Sequence, residues 1–109
     1  MTQPCYLNDM GVVCAAGNAA DEVIKALSDA GNCLVSATGF GVEDTQMLGL
    51  CHVTLPDIPL SEVRWQTRNN QLAMAALKQI RPSVDRLIEK YGAHRIGVVI
   101  GTSTSGISE

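Results

Sequence analysis

Between Arg68 and Ile80 the sequence reads Arg-Asn-Asn-Gln-Leu-Ala-Met-Ala-Ala-Leu-Lys-Gln-Ile, and no other run constrains the chain so tightly. Leu72, Ala73, Met74, Ala75, Ala76, Leu77 and Ile80 leave almost no polar face on the helix this spacing predicts over 68–80. A helix that is apolar nearly all round belongs between covering layers, not on a surface. Pro82 lacks the N–H that would bond the carbonyl four residues back, so a kink or restart is expected there. Val84, Leu87, Ile88 and Tyr91 then recur at i, i+3, i+4 and i+7, predicting an amphipathic second piece that ends at Gly92.

The covering layers have to come from the rest of the chain. Asn18 is a suitable N-cap, Asp21 and Glu22 favour the positive helix end, and Val23, Ile24 and Leu27 repeat at helical spacing up to Gly31. A helix over about 19–30 follows. Residues 32–46 carry little pattern beyond Gly39 and Gly41 flanking Phe40, and are expected to be loop with one short strand at most. Met47 to Val53 reads as a strand, and Leu55-Pro56-Asp57-Ile58-Pro59 as loop or sheet edge, because Pro cannot donate to a ladder. Ile96-Gly97-Val98-Val99-Ile100 has no alternation, as in a central strand of a parallel sheet covered on both faces. Strand, helix, strand, buried helix, strand is an α/β order, with no boundary inside 1–109. So few strands cannot supply two covering layers, and the chain is expected to be a fragment.

Composition removes several classes of function. With 46% hydrophobic residues, 17% charged residues and a net charge of -3, the chain is neither a disordered tail nor a strongly basic nucleic-acid binder. Aromatic residues at 4% are too few for a base-stacking platform. The start, Met-Thr-Gln-Pro-Cys, lacks a basic segment followed by an apolar one, and no apolar run reaches membrane-spanning length. A cytoplasmic protein is expected, with Cys5, Cys14, Cys33 and Cys51 as buried reduced thiols.

Candidate chemistry is sparse. Gly101 and Gly106 stand at the spacing of a phosphate-binding loop, but Ile107 occupies the place of its lysine. The loop is expected to be a turn in which glycines let backbones approach closely. Gly11 and Gly17 lack the G-x-G start of a dinucleotide fingerprint. Cys14 sits at a strand-to-helix approach, where nucleophiles occur, yet Val12, Val13, Ala15 and Ala16 offer no charge to lower its pKa. His52 and His94 read as surface or satisfied histidines, and Asp21/Glu22, Glu43/Asp44 and Asp85/Glu89 as solvated carboxylates. No Cys/His spacing suits zinc, so neither metal nor cofactor is expected. Trp65 between Arg64 and Arg68 suits a cation–π contact, an interface anchor or the start of a helix.

Three segments taken in order carry a resemblance. Met10-Gly11-Val12-Val13-Cys14-Ala15-Ala16-Gly17-Asn18 resembles the opening motif of β-ketoacyl-acyl-carrier-protein synthases, the condensing enzymes of the thiolase superfamily. Arg68 to Leu77 resembles their Arg-x-x-Gln buried helix, and Arg95 to Gly106 their strand and Gly-rich loop. Asp9 departs from the usual Gly, Cys14-Ala15-Ala16 from Ser-Pro-Leu, and Ser103, Thr104 and Ser105 from Gly and an aliphatic residue. These polar changes are similar to those of variant synthases in polyene and polyketide-like pathways.

The resemblance implies that the chain is the opening part of a layered αβαβα thiolase-like fold, with helix 68–80 between two sheets. It implies a full-length acyltransferase, a homodimer, that condenses an acyl thioester with malonyl-acyl carrier protein in fatty acid, polyene or polyketide-like synthesis. The family's catalytic Cys and two His lie beyond the matched region. Neither Cys14, His52 nor His94 corresponds to them, so this chain by itself is expected to be inactive. One position carries over: Thr104, with Ser103, is implied to border the acyl chain and make its pocket more polar. The alternatives are a non-catalytic chain-length-factor-like subunit and a thiolase-type coenzyme-A-dependent acyltransferase.

Overall fold

The structure, a computed structural model, describes residues 2–38, 43–59, 61 and 63–102. These residues make a small mixed α/β arrangement of two helices and a two-stranded sheet. The chain divides into two compact units, one of Met1–Gly11 with Leu55–Glu109 and one of Val12–Thr54.

In the Val12–Thr54 unit, Cys14 and Gly17 exchange backbone hydrogen bonds of 2.9 and 3.2 Å. Helix α1 follows over Ala20–Ser28. Its N-cap is Ala19, in extended conformation and without a side-chain cap, so the expected role of Asn18 is corrected. Asn18 instead donates its backbone N–H to Glu22 Oε2 at 2.7 Å and its carboxamide to the His52 carbonyl. The glutamate in the first turn thus reaches back over the helix start, in the manner of a capping box displaced by one residue.

The other end of α1 closes as a Schellman motif. Gly31 N–H donates to the Ala26 carbonyl at 3.1 Å and Ala30 N–H to the Leu27 carbonyl at 3.3 Å. The left-handed residue is Ala30, at φ 50°, with Gly31 one place beyond it.

Strand β1 (Leu34–Ala37) pairs antiparallel with β2 (Gln46–Gly49), with Leu34 opposite Gly49 and Ala37 opposite Gln46. The expected strand over 47–53 therefore shortens and shifts, and the sheet is not parallel. Gly39, Phe40 and Gly41 lie outside the described residues.

In the other unit, helix α2 spans Arg68–Tyr91, 24 residues without interruption. Thr67 caps it, its side chain accepting the Asn70 N–H at 3.2 Å. Gly92 ends it with φ 86°, a backbone conformation that favours glycine. The restart expected at Pro82 does not occur: the helix runs through it, and the Lys78 carbonyl loses its i+4 donor there. One turn is clamped by Arg81, whose Nε donates to both Asp85 carboxylate oxygens at 2.9 and 3.0 Å.

The segment before α2 is loop, as the prolines at 56 and 59 predict. It is tied to the helix start by Gln66, which donates to the Ile58 carbonyl at 2.7 Å, and by Gln71, which donates to the Pro56 carbonyl at 3.2 Å. Ile58, 7% exposed, is the one buried hydrophobic side chain among the described residues. Leu72, Ala73, Met74, Ala75, Ala76 and Leu77 are only half-buried, so α2 lacks the cover on several sides that its composition predicts.

Ile96–Ile100 is not a strand. A strand exists only through a ladder partner, and none pairs with it among the described residues. Val99 is 97% exposed, with Val98 and Ile100 also open.

Candidate functional site

The three segments that carry the family resemblance all reach α2. Gly11 lies flush on its backbone: a Cβ at this position would collide with the Ala76 carbonyl oxygen. Only glycine permits that approach. Just before it, the Asp9 carboxylate accepts the Ser83 hydroxyl at 2.6 Å and the Met10 N–H at 2.8 Å. These bonds, the Ser83 bond first, together with the Arg86 charge, hold the Asp9 carboxyl below its ordinary pKa. The N-terminal segment is thereby fixed along the middle of the helix.

At the other end of α2, the Thr102 hydroxyl donates to Asn69 Oδ1 at 2.9 Å. Thr102 follows Gly101 at the start of the Gly- and Ser-rich stretch of sequence, and Asn69 lies in the first helical turn. Ser103, Thr104, Ser105 and Gly106 lie outside the described residues. A Cβ on Gly101 would meet nothing within 4 Å among the described residues.

Sequence reasoning did not single out Thr67, Asn69 or the N-terminal tie to Ser83. Thr67 was legible as an N-cap residue directly before the helical run. The other two join residues 33 and 74 positions apart, which no local spacing reveals.

Trp65 ends a short 3-10 turn, Val63–Trp65, with the Arg64 guanidinium 5.1 Å from its ring centroid. Its carbonyl accepts the Asn70 carboxamide at 3.1 Å, so the residue both stacks with a cation and leads into the helix. An open groove of about 380 Å³ runs along α2, lined by Asp57, Pro59, Met74, Leu77, Lys78 and Arg81.

The thiols are unpaired but not buried. Cys5 is exposed and Cys14, Cys33 and Cys51 are half-buried, because little side-chain surface is covered anywhere in the described chain. His52 and His94 are both exposed. Among the described residues no side-chain hydrogen bond or ion pair links Cys14, His52 or His94 to an acid or base. Asp85, read as solvated, is ion-paired with Arg81 while remaining half-exposed. No group of three or more His, Cys, Asp or Glu is placed to hold a metal ion among the described residues. No helix among them is long and apolar enough to cross a membrane. What this arrangement offers is positioning: a helix on which Gly11 and Thr102 are seated.

Compared with known protein families, curated proteins and solved structures, the chain finds no match.

Proposed function

We propose that this chain is the N-terminal part of a β-ketoacyl-acyl-carrier-protein synthase with a thiolase-like fold. The observation that carries the reading is the seating of the resembling segments on one helix, Gly11 against Ala76 and Thr102 on Asn69. These contacts join residues far apart in sequence, and they involve each of the three segments on which the resemblance was drawn. The half-covered apolar faces of α2 and the open Val98-Val99-Ile100 run also fit a layered fold in which further sheet and helix cover them.

In this reading the complete protein is a cytoplasmic homodimer that takes acyl and malonyl groups from an acyl carrier protein. It joins them by a carbon–carbon bond with loss of carbon dioxide. A cysteine supplied by a more C-terminal part carries the acyl group, and two histidines assist decarboxylation. Ser103 and Thr104 border the acyl chain end.

The test is to purify the natural polypeptide that contains this sequence, weigh it, and incubate it with acyl- and malonyl-carrier-protein thioesters. A mass several times 11.6 kDa and a 3-oxoacyl thioester two carbons longer than the primer are expected. An active polypeptide in which Thr104→Ile leaves chain-length preference unchanged would remove the role given to Thr104. No elongation from any primer would overturn the synthase reading.

A further inference from the structure

We infer that Met47 is a peroxide-modification site whose sulfoxide, held by Ser36 on the facing strand, tightens the β1–β2 pair. The inference does not depend on the synthase reading and concerns the Val12–Thr54 unit alone. It starts from the Ser36 hydroxyl, which donates to the Met47 sulfur at 3.4 Å.

That contact follows from register. Ser36 stands directly opposite Met47 in the antiparallel pair, so both side chains leave the sheet on one face. Further along this face Ala15 lies close against Gly49, where an added Cβ would come 3.1 Å from the alanine methyl. Met47 itself is 54% exposed, and a small oxidant reaches its sulfur from solvent.

A thioether is a weak acceptor, and its sulfur is open to oxidation. With hydrogen peroxide, a sulfur lone pair forms the S–O bond as the O–O bond breaks. Sulfur is oxidised by two electrons, the peroxide is reduced, and a proton passes from the transferred oxygen to the departing one, which leaves as water. The sulfoxide oxygen is polar, where the thioether was apolar, and it sits on the atom to which Ser36 already donates. Three rotatable bonds let the methionine side chain draw back and present this oxygen to the hydroxyl.

In a packed core such an oxygen disrupts its surroundings. At an open strand position there is little packing to lose, and the stronger cross-strand bond is what remains. A two-stranded sheet is marginal by itself, so one strengthened tie between its strands is felt.

The test treats the natural polypeptide that contains this sequence with dilute hydrogen peroxide. Peptide mass spectrometry locates the added oxygen, and amide hydrogen exchange is followed over Leu34–Ala37 and Gln46–Gly49. Oxygen on Met47 is expected, with exchange of these amides slowed by about 2–5-fold, as one added hydrogen bond allows. Methionine sulfoxide reductases restore the original rate. Ser36→Ala keeps the oxidation and loses the slowing, whereas Ser36→Thr, which retains a hydroxyl, keeps both. Met47→Leu shows no slowing with peroxide, which separates the effect from oxidation of Cys14, Cys33 and Cys51 in the same unit.

The inference is overturned if Met47 stays unmodified while the exposed Met10 is oxidised. It is equally overturned if oxidised Met47 leaves the exchange unchanged or faster, or if the slowing persists in Ser36→Ala or Met47→Leu.

Discussion

Asp9 shows how a single residue can tie a chain end in place. Its carboxylate is held low by the Ser83 hydroxyl first, then by the Met10 N–H and the Arg86 charge. A folded-state pKa below the unfolded one stabilises the fold at pH values above the ordinary carboxylate range. That contribution is lost as pH falls through the lowered value. Ser83→Ala removes the largest cause, so its unfolding midpoint should lie below the unmutated one at neutral pH, with the gap narrowing on acidification. Equal gaps at neutral and acidic pH would show that the Asp9–Ser83 bond does not form in solution. At this scale the sequence was partly legible. Gly31 correctly signalled the end of α1, but the left-handed position fell on Ala30, because the Schellman closure counts from the last helical residue rather than from the nearest glycine. Asn18 carries a good capping side chain, yet its carboxamide is spent on the His52 carbonyl, 34 residues away.

At the scale of elements, helices were read well and strands poorly. Helix α2 was visible because its apolar spacing is local, and its bounds at Arg68 and Tyr91 match the run and the glycine at 92. Of the kink or restart expected at Pro82, the restart is absent. A proline removes one hydrogen bond and crowds the preceding turn, but a long helix with Arg81 clamped to Asp85 continues through it. Pro82→Ala should therefore stabilise the protein by about 1–3 kcal/mol, provided the helix does not use the bend. Chemical unfolding followed by circular dichroism measures this, and a loss of stability would mean that the backbone at 82 is shaped to need proline. The strand at 96–100 was misread for a different reason. Its composition describes a strand between neighbours, and composition cannot supply the neighbours.

For the whole molecule, the central fact is how little of its apolar surface is covered. Ile58 alone is buried among the described hydrophobic residues, while Tyr6, Leu7, Ile24, Leu27, Val98, Val99 and Ile100 are open. The 109-residue chain by itself should bind a hydrophobic dye such as ANS strongly, and Val99→Lys should lower that fluorescence and raise solubility. An unchanged dye signal would mean that the 96–100 run is covered in solution. The mixed α/β character and the two helices were legible because helical spacing is read within one segment, whereas the cover expected around α2 is not found among the described residues. The ties at Asp9–Ser83 and Thr102–Asn69 were not legible, since they depend on how distant segments are folded back.

The close seat of Gly11 on Ala76 also bears on how freely this sequence can vary. Residues 2–10 lie open to solvent, so most exchanges there change little beyond the Asp9 tie. At position 11 even one added methyl meets the helix backbone rather than a side chain that could turn aside. In a saturation library selected for folding, the N-terminal stretch should read as a tolerant run ending in a single intolerant notch. The helix backbone, and not any chemistry of the residue, would be what enforces it.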